Sequence, residues 1–340
     1  MQKRAVARRV GIADVAAQAG VSLATVSRVM NGSFTVDPTI AARVRSVAGE
    51  LKYQANPVGR SLARGKTETI GILVPDLANP MFQAVLHGLS SAAAEDGYRV
   101  LIADSSETSS EESILAAEAR RRGDGVVLCA PRMNEAELNE LAPSLQPMVL
   151  INRNASDGTP SLSVDYAQGI QELAEHLVEL GHRRLLFLSG PETSASNRLR
   201  LLGLDSFRAS HPAVEVSLEQ CGFSFASGYD AASLVVASGA TGVMAFNDLV
   251  AMGLLSGLHE QGVSVPQDLS VTGFDDIPFA AYTSPPLTTA AVPLTMLGEQ
   301  AWHRLHQLLQ GSVPEEPETI FRTEIQVRGS TGPARSLPAM

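Results

Sequence analysis

One arginine stands among small polar residues in the stretch from Val21 to Gly32, which reads VSLATVSRVMNG. The guanidinium of Arg28 can donate two parallel hydrogen bonds to the edge of a guanine, whereas hydroxyl and amide side chains suit phosphate oxygens. Side chains of the second kind are Thr25, Ser27 and Asn31. The stretch therefore predicts a surface that contacts duplex nucleic acid, provided that a helix presents these residues together.

The spacing around this stretch indicates a helix-turn-helix. Ala16 lies four residues before Gly20, and Val26 lies six residues after it. Two helices that cross at a short turn need a small residue where they touch, a glycine with positive φ after the first helix and an apolar residue from the second. Ser22 can cap a second helix from about Leu23 to Met30. An ordinary helical hairpin is the alternative interpretation.

The predicted second helix has an inward and an outward face. Val26, Val29 and Met30 point back into a small core. The outward, DNA-facing positions are Ser22, Leu23, Ala24, Thr25, Ser27, Arg28 and Asn31. Leu23 and Ala24 are apolar, so they can only favour thymine methyl groups or exclude other bases. Burial of Leu23 in the small core is the alternative for that residue.

The first 66 residues form a basic head. They hold 11 basic and 3 acidic side chains, a formal charge of +8, which leaves −18 on the rest of a chain whose total is −10. A third helix is predicted here, with Asp37 as its cap and Pro38 in its first turn. Its apolar stripe is Ile40, Val44, Val47, Ala48 and Leu51. A basic head with a helix-turn-helix is typical of proteins that bind duplex DNA.

The segment YQANPVGRSLARGKT follows the third helix. Asn56 and Pro57 can start a further short helix, and its apolar pair, Leu62 and Ala63, lies among cations. An apolar wedge in a DNA minor groove needs such neighbours, while a solvated linker is the alternative.

Composition limits the other possibilities. The chain has 340 residues, of which 44% are hydrophobic and 18% charged, so it can form two or three compact units. No apolar run reaches the length of a membrane helix, and the first ten residues lack the apolar centre of a signal peptide, so a cytoplasmic protein is expected. Cys129 and Cys221 lie singly in strand-like runs and are predicted to be reduced residues of the core.

From Thr69 onwards, short apolar strands alternate with helical stretches. Ten strands are predicted, at TIGILV, RVLIAD, GVVLC, PMVLIN, SLSVD, RRLLFLS, VEVSLEQ, GVMAFN, LSVTGF and TTAAV. This alternation predicts two doubly wound parallel sheets with a ligand cleft at the carboxyl ends of the strands. Neither a phosphate-binding loop nor the nucleophile motif G-x-S-x-G is present, and the polar residues suit binding alone, so no enzymatic activity is expected.

The sequence resembles the lactose-repressor (LacI/GalR) family of bacterial transcription regulators. The motifs occur in family order from about Gly11 to Arg328. They read IADVAAQAGVSLATVSRVMNG, NPVGRSLARGKT, IGILVPDLANPMF, LVELGHRRLLFLSGP, NRLRLLG, AFNDLVAMG, DLSVTGFDDIPFA and PPLTT. The resemblance implies a homodimer that binds a palindromic operator, a core of the periplasmic-binding-protein type I kind, and a minor-groove role for Leu62 and Ala63.

The expected domain organisation follows from the motifs and the resemblance. It comprises a helix-turn-helix head at 1–55, a hinge helix or linker at 56–68, a two-lobed core at 69–330 and a disordered tail at 331–340. The N-lobe is expected at about 69–164 and 294–322, and the C-lobe at about 165–291 and 323–330. The tail composition rules out a heptad helix, so the oligomer should stop at a dimer, held through Ala84, Val85, Leu86 and Leu89.

The resemblance also assigns cleft residues suited to a polyhydroxylated ligand. They are Asn79, Phe82, Asn152, Arg200, Phe223, Asn247 and Asp275. Asp275 can accept from two adjacent hydroxyls to which Arg200 donates. Asn247 offers a ligand both a donor and an acceptor, whereas Asn79 is more often a helix cap. Asp248 and Asp276 are expected to cap helices. The chain departs from the family at Asn152, where aspartate is common, and at Val292, where glutamine is frequent; both changes favour an anionic effector.

The expected function is a transcription regulator, most simply a repressor, switched by a sugar or sugar derivative. A sugar acid or a nucleoside or purine is the alternative effector, and a sugar-binding transport protein is the alternative function. No cofactor is expected. Glu299, His303 and His306 have metal-like spacing, but an exposed polar helix face explains them. The acidic stretch SSETSSEES is predicted to be a solvated loop that leads into a helix.

Overall fold

The computed structural model describes residues 10–30, 32, 35–53, 65–154 and 158–335. The chain divides into two compact units, the head (Met1–Thr67) and the core (Glu68–Met340). Asn31, Leu62 and Ala63, with most of the predicted hinge, lie outside the described residues.

The head has three described helices, α1 (Ile12–Ala19), α2 (Leu23–Met30) and α3 (Pro38–Glu50). Gly20 ends α1 at φ +65°, a conformation that strains residues with a side chain. The Ser22 Oγ accepts from the Thr25 N–H at 3.1 Å and caps α2. Asp37 Oδ1 caps α3 by accepting from the Thr39 N–H at 2.8 Å. The predicted helix-turn-helix and third helix are confirmed.

The small core of the head is made by one face of each helix. It contains Val15, Ala16, Ala19, Val26, Val29, Ala41, Val44, Val47 and Ala48. Leu23 is 52% exposed, so the alternative that buried it in this core is wrong. Its position in the first turn of α2 points it away from the helix contacts.

The N-lobe of the core is a six-stranded sheet whose hydrogen-bonded neighbours run parallel. Its strands are β1 (Thr69–Val74), β2 (Arg99–Asp104), β3 (Gly125–Cys129), β4 (Met148–Ile151), β5 (Ser161–Val164) and β11 (Glu318–Phe321). Their order across the sheet is β11-β5-β4-β3-β1-β2. The exposed edge strand β2 leaves Leu101 and Ile102 40% and 49% exposed.

The C-lobe repeats this arrangement. Its strands are β6 (Arg184–Ser189), β7 (Glu215–Gln220), β8 (Gly242–Ala245), β9 (Ser270–Asp275), β10 (Thr288–Ala291) and β12 (Glu324–Gln326). Their order is β12-β10-β9-β8-β6-β7, and only the β10–β12 pairing is antiparallel among the described strand pairs. All ten predicted strands are confirmed, and β11 and β12 were not foreseen.

Helices cover both sheets and connect their strands. They are α4 (Pro80–Glu95), α5 (Ser109–Arg122), α6 (Glu135–Leu145), α7 (Tyr166–Glu179), α8 (Ala195–Ser210), α9 (Phe225–Asp230), α10 (Ala232–Ser238), α11 (Asp248–Glu260) and α12 (Leu294–Leu309), with a 3-10 turn at Ala280–Tyr282. Within the described part of the chain, no helix has both the length and the apolar character needed to span a bilayer.

The helix pair α4 and α12 corrects one prediction. Val85 and Leu89, expected to contact a second subunit, are 1% and 0% exposed and belong to the apolar core of their own chain. Gly298 on α12 explains this burial, because a Cβ there would lie 2.0 Å from the Val85 carbonyl oxygen. The backbones of α4 and α12 touch directly, so this face of α4 is unavailable to another chain.

The predicted disordered tail is also wrong for its first residues. The Ala334 N–H donates to the Leu180 carbonyl at 2.8 Å, and the Gly332 N–H donates to Ser270 Oγ at 3.1 Å. The buried His182 ring lies 3.1 Å from the Gly332 carbonyl oxygen. Backbone hydrogen bonds thus fix residues 331–335 to the C-lobe, which apolar periodicity could not reveal; residues 336–340 are outside the described chain.

Candidate effector site and DNA-contact surface

The carboxyl ends of the two sheets meet around one small cavity between the lobes. All seven cleft residues predicted from the resemblance line it, namely Asn79, Phe82, Asn152, Arg200, Phe223, Asn247 and Asp275. Asp275 ends β9, Asn152 follows β4, and Arg200 lies one turn into α8. The structure therefore brings together residues that are up to 196 positions apart in the sequence, from Asn79 to Asp275.

Arg200 is the most unusual side chain in this cavity. It is 1% exposed, and its guanidinium carbon lies 4.4 Å, 4.8 Å and 3.9 Å from the ring centres of Tyr166, Phe246 and Phe274. Aromatic faces attract a cation, but they do not accept conventional hydrogen bonds from its N–H groups. Within the described chain, Nε and Nη1 have no hydrogen-bond partner. Buried N–H donors that lack a partner are suited to bind an acceptor atom of a ligand.

Asp275 faces Arg200 without a close ion pair. The Arg200 Nη2 is 4.0 Å from Asp275 Oδ1, and Asp275 is 3% exposed. Burial raises the pKa of Asp275 to about 7, although the positive charge of Arg200 acts in the opposite direction. Burial likewise lowers the pKa of Arg200. Desolvation thus outweighs the mutual attraction of the pair, and hydroxyl groups placed between them would solvate both.

The three cleft asparagines are already engaged within the chain. Asn79 Oδ1 accepts from the Met81 N–H at 2.9 Å, which makes this residue the cap of α4. Asn152 donates to the Tyr166 hydroxyl at 2.8 Å and accepts from the Val164 N–H at 3.2 Å. These contacts fix the cavity wall.

Asn247 differs from the prediction in its hydrogen bonds. Its Oδ1 caps α11 by accepting from the Val250 N–H at 2.9 Å, and its Nδ2 donates to the Phe223 carbonyl at 3.0 Å. The expected offer of both a donor and an acceptor to a ligand is therefore reduced, because a helix start in this position needs the amide oxygen.

Sequence reasoning missed a charged pair in the same cavity. Arg132 donates from Nε and Nη2 to the two carboxylate oxygens of Glu107, both at 2.7 Å. The loop that carries Arg132 is held by Glu112, whose carboxylate accepts from the N–H groups of Arg132 and Met133 at 2.7 Å. Both pairings rest on contacts between distant segments, so no local pattern signalled them.

Glu107 and Glu112 belong to the stretch SSETSSEES, which was expected to be a solvated loop leading into a helix. The helix is confirmed, since α5 begins at Ser109. Glu112 is 0% exposed, and burial raises its pKa even though its hydrogen bonds act to lower it. The prediction was wrong for this residue because the alternation of serine and glutamate concealed one glutamate on the buried side of α5. Tyr166, Phe246, Met81, Ala130 and Ser196 complete the unforeseen part of the lining.

The cavity is nearly closed. The space in it that admits a water-sized sphere is about 20 Å³, whereas two larger surface cavities of the core each offer about 560 Å³. A volume of this order holds about one water molecule, so a sugar can enter only if the lobes separate. The smaller cavity is still the stronger candidate, because it alone among these three contains the buried and underpaired Arg200.

Asp248 and Asp276 have structural partners, as expected, but neither side chain caps a helix. Asp248 accepts from the Ile277 N–H at 2.8 Å and from the Thr289 hydroxyl at 2.6 Å. Asp276 pairs with Arg328 at 2.7 Å. Both carboxylates therefore tie the loop after β9 to neighbouring elements, while Asn247 serves as the cap.

Among the residues with described positions, no three His, Cys, Asp or Glu side chains are arranged to hold a metal ion. His306, one of the residues with metal-like spacing, stacks on Trp302 at 4.9 Å between ring centres and approaches Asp96 at 3.3 Å.

The described members of the predicted DNA-contact set lie on α2 and at the turn before it. Ser22, Leu23, Ala24 and Arg28 are exposed, and Thr25 and Ser27 are partly exposed. The Ser22 and Thr25 hydroxyls are hydrogen-bonded to each other at 2.9 Å. Val26 and Val29, at 0% and 3% exposure, hold the opposite face against α1 and α3.

Known protein families match both the head and the core of this chain. Residues 11–56 match the model for bacterial regulatory proteins of the lacI family, and residues 174–331 match that for a periplasmic binding protein-like domain. The repressor CytR of Escherichia coli K12 is 33% identical over 331 residues, which cover 96% of each chain. Catabolite control protein A of Streptococcus mutans is 31% identical and covers 94% of this chain and 97% of its own.

Two solved structures of regulators are similar to the chain. A lac repressor dimer bound to operator and the anti-inducer ONPF superposes with a TM-score of 0.84 at 27% identity, covering 96% of this chain and all of that one. The regulator CelR in complex with cellobiose superposes with a TM-score of 0.69 at 26% identity, covering 95% of this chain and all of that one. A helix-turn-helix head and a two-lobed ligand-binding core define a class of ligand-responsive DNA-binding regulators. The chain belongs to the LacI family of bacterial transcription regulators.

Proposed function

We propose that this chain is a repressor that binds a palindromic operator as a homodimer and changes its affinity for that operator when a sugar or sugar derivative occupies the cleft. The observation that carries the effector assignment is the buried Arg200, which has two unpartnered guanidinium nitrogens within the described chain and stands opposite the underpaired Asp275. Such a protein acts in the cytoplasm, where bacterial operator DNA lies, and works by binding without catalysis.

A sugar fits the chemistry of this cleft. Adjacent hydroxyls can donate to the Asp275 carboxylate and accept from Arg200, and the faces of Phe82 and Phe223 can cover the C–H groups of a ring. CelR was solved with cellobiose, and a LacI-family regulator of Enterococcus faecium was solved with bound ribose. A sugar acid or nucleoside is the second candidate, supported by the two arginines, Arg132 and Arg200, in the lining.

The switch follows from closure of the lobes. Effector contacts with both lobes stabilise one degree of closure, and an effector shifts the equilibrium only by its difference in affinity for the two forms. In the proposed dimer, closure changes the separation of the two hinges, and with it the ability of Leu62 and Ala63 to enter the minor groove. A transport role is disfavoured because such a protein has no use for a helix-turn-helix.

The experiment is a thermal-shift screen of the full chain with neutral sugars, sugar acids, sugar phosphates and nucleosides. A ligand at 100 times its Kd should raise the free energy of unfolding by about 2.7 kcal/mol. The stabilising compound should then alter operator binding in a gel-shift assay, and its class decides between the two effector candidates.

Variants locate the response. Arg200→Ala and Asp275→Ala should bind operator normally without effector and should no longer respond to it, whereas Arg121→Ala, an exposed arginine of α5, should behave as the unmodified protein. An unchanged effector affinity in both cleft variants would place the effector site elsewhere.

A further inference from the structure

A second cavity lies where α8 of the C-lobe approaches the N-lobe, outside the effector cleft. Its volume is about 560 Å³, within the range of small-molecule sites. We refer to it as the outer pocket, defined by Glu135 and Arg153 on the N-lobe side and Arg198, Leu199, Leu202 and Asp205 on α8. A molecule bound here would contact both lobes.

Arg153 is the buried charge of the outer pocket. It is 7% exposed, its Nη2 donates to the Met133 carbonyl at 3.0 Å, and its Nη1 has no hydrogen-bond partner in the described chain. A guanidinium in this position has lost most of its hydration, and no carboxylate of the described residues forms a close ion pair with it. The outer pocket therefore contains a buried donor with unused capacity.

Arg198 adds a second cation to the same pocket. Its side chain is exposed, and among the described residues neither it nor Arg153 forms an ion pair. Burial lowers the pKa of Arg153, and the positive charge of Arg198 acts in the same direction, as expected for two like charges that line one pocket. An anion between them would remove this repulsion.

The acidic residues of the outer pocket limit the charge of that anion. Asp205 is already paired with Arg208 at 3.0 Å, and Glu135 partly offsets the charge of Arg153. With Asp205 paired, Arg153, Arg198 and Glu135 leave a formal charge of +1, which a single carboxylate matches and a dianion such as phosphate exceeds. A carboxylate also matches the planar geometry of a guanidinium.

The rest of the α8 side of the outer pocket is apolar, whereas Asn152, Asn154 and Ser163 add polar groups on the N-lobe side. Leu199 and Leu202 on α8 are 37% and 61% exposed, and Ala195 and Leu201 lie beside them in the lining. Exposed leucines next to two unpaired arginines are suited to a ligand with a hydrocarbon portion and one charged end.

We propose that the outer pocket is a second ligand site, which binds a monocarboxylate with an apolar body through Arg153, Arg198, Leu199 and Leu202. The site is separate from the effector cleft but shares its wall, because Asn152 lines both cavities and Arg198 lies two residues from Arg200 on α8. The proposal does not depend on the identity of the effector.

Octanoate is the probe, titrated into the full chain by isothermal calorimetry beside octanamide and inorganic phosphate. Octanoate should saturate one site per chain, and the uncharged octanamide and the phosphate should each bind at least about tenfold more weakly. Equal affinity for octanamide would overturn the charge assignment, and tighter binding of phosphate would overturn the ligand class. Absence of octanoate binding at millimolar concentration would overturn the proposal.

Two variants assign the site. Arg198→Gln should weaken octanoate binding about tenfold or more, and Leu202→Asn should weaken it severalfold, with Arg121→Gln as the control for loss of an exposed arginine. Arg200→Ala should retain octanoate binding within about threefold. Loss of binding in Arg200→Ala with retention in Arg198→Gln would show that octanoate occupies the effector cleft instead. Circular dichroism of each variant checks that the fold is retained.

Discussion

The guanidinium groups of Arg28 and Arg200 lie in two different environments. Arg28 is exposed on α2, where water can solvate its guanidinium, while Arg200 is 1% exposed and surrounded by three aromatic rings. Sequence could place both, because each belongs to a specific local motif. It could not show that Arg200 lacks hydrogen-bond partners, since that depends on Tyr166, Phe246 and Phe274 from three different elements.

Replacing Arg28 tests base recognition. Arg28→Ala should weaken operator binding by about 1 to 3 kcal/mol and relax the preference at one base pair in each half-site, because a bidentate contact to guanine is lost. Competition gel shifts with operators changed at single positions measure this effect. Arg43→Ala on α3 is the control, and an equal loss on every sequence would make Arg28 a phosphate contact.

Asp275 gives a pH-dependent prediction for stability. Its pKa is raised from 3.8 to about 7 in the folded chain, so the folded state binds one more proton than the unfolded state between these values. The contribution of Asp275 to the free energy of unfolding therefore falls as pH rises through this window, by up to about 1.4 kcal/mol per pH unit, and is constant above it.

Asp275→Asn should remove this dependence. The stability of the variant relative to the unmodified protein should increase from pH 5 to pH 7, as measured by urea denaturation at each pH. Burial and the negative charge of Asp275 also raise the pKa of the nearby Asp248, so the difference between the two proteins includes the loss of this coupling. A difference that stays constant from pH 5 to pH 8 would contradict the raised pKa of Asp275.

At the scale of elements, short apolar runs predicted most of the ten strands, while the alternation of apolar and polar residues in VEVSLEQ predicted β7. The missed strands β11 and β12 contain only four and three residues and carry glutamates, so their strand conformation comes from pairing with β5 and β10. The seven cleft positions were predicted through family motifs. Arg132, Glu107 and Glu112 were not, because their pairing depends on how the loops fold.

The contact of α4 and α12 depends on glycines at the crossing. A Cβ on Gly298 would lie 2.0 Å from the Val85 carbonyl oxygen, so Gly298→Ala must push the helices apart. We expect a loss of about 1 to 3 kcal/mol in the free energy of unfolding of the core, measured with urea. Gly49→Ala on α3 is the matched control, since no atom lies within 4 Å of its added Cβ. Equal effects of the two substitutions would exclude a close crossing.

At the scale of the whole molecule, the core must overcome its own charge to form a dimer. Residues 67–340 carry a formal charge of −18, so apolar contact has to offset the repulsion between two copies. The described surface offers such contact on edge elements of both lobes. These residues are Leu101, Ile102 and Ile114 in the N-lobe and Leu218, Phe225, Tyr229 and Tyr282 in the C-lobe.

The dimer can be tested by changing one edge strand. Light scattering of the full chain should give about twice 35.9 kDa, and Ile102→Asp on β2 should shift the mass towards that of one chain, because it adds charge to an exposed apolar strand edge. Val313→Asp is the control, since Val313 is 85% exposed and lies on a loop after α12. An unchanged mass in Ile102→Asp would move the interface away from β2.

Deleting residues 336–340 should leave the dimer intact, because these residues lie beyond the hydrogen bonds that tie the C-terminus to the C-lobe. Removing 331–335 as well should lower the free energy of unfolding by breaking the hydrogen bonds to Leu180 and Ser270. Light scattering measures the mass of each deletion, and a tetramer that falls to a dimer when the last five residues are deleted would contradict this description of the C-terminus.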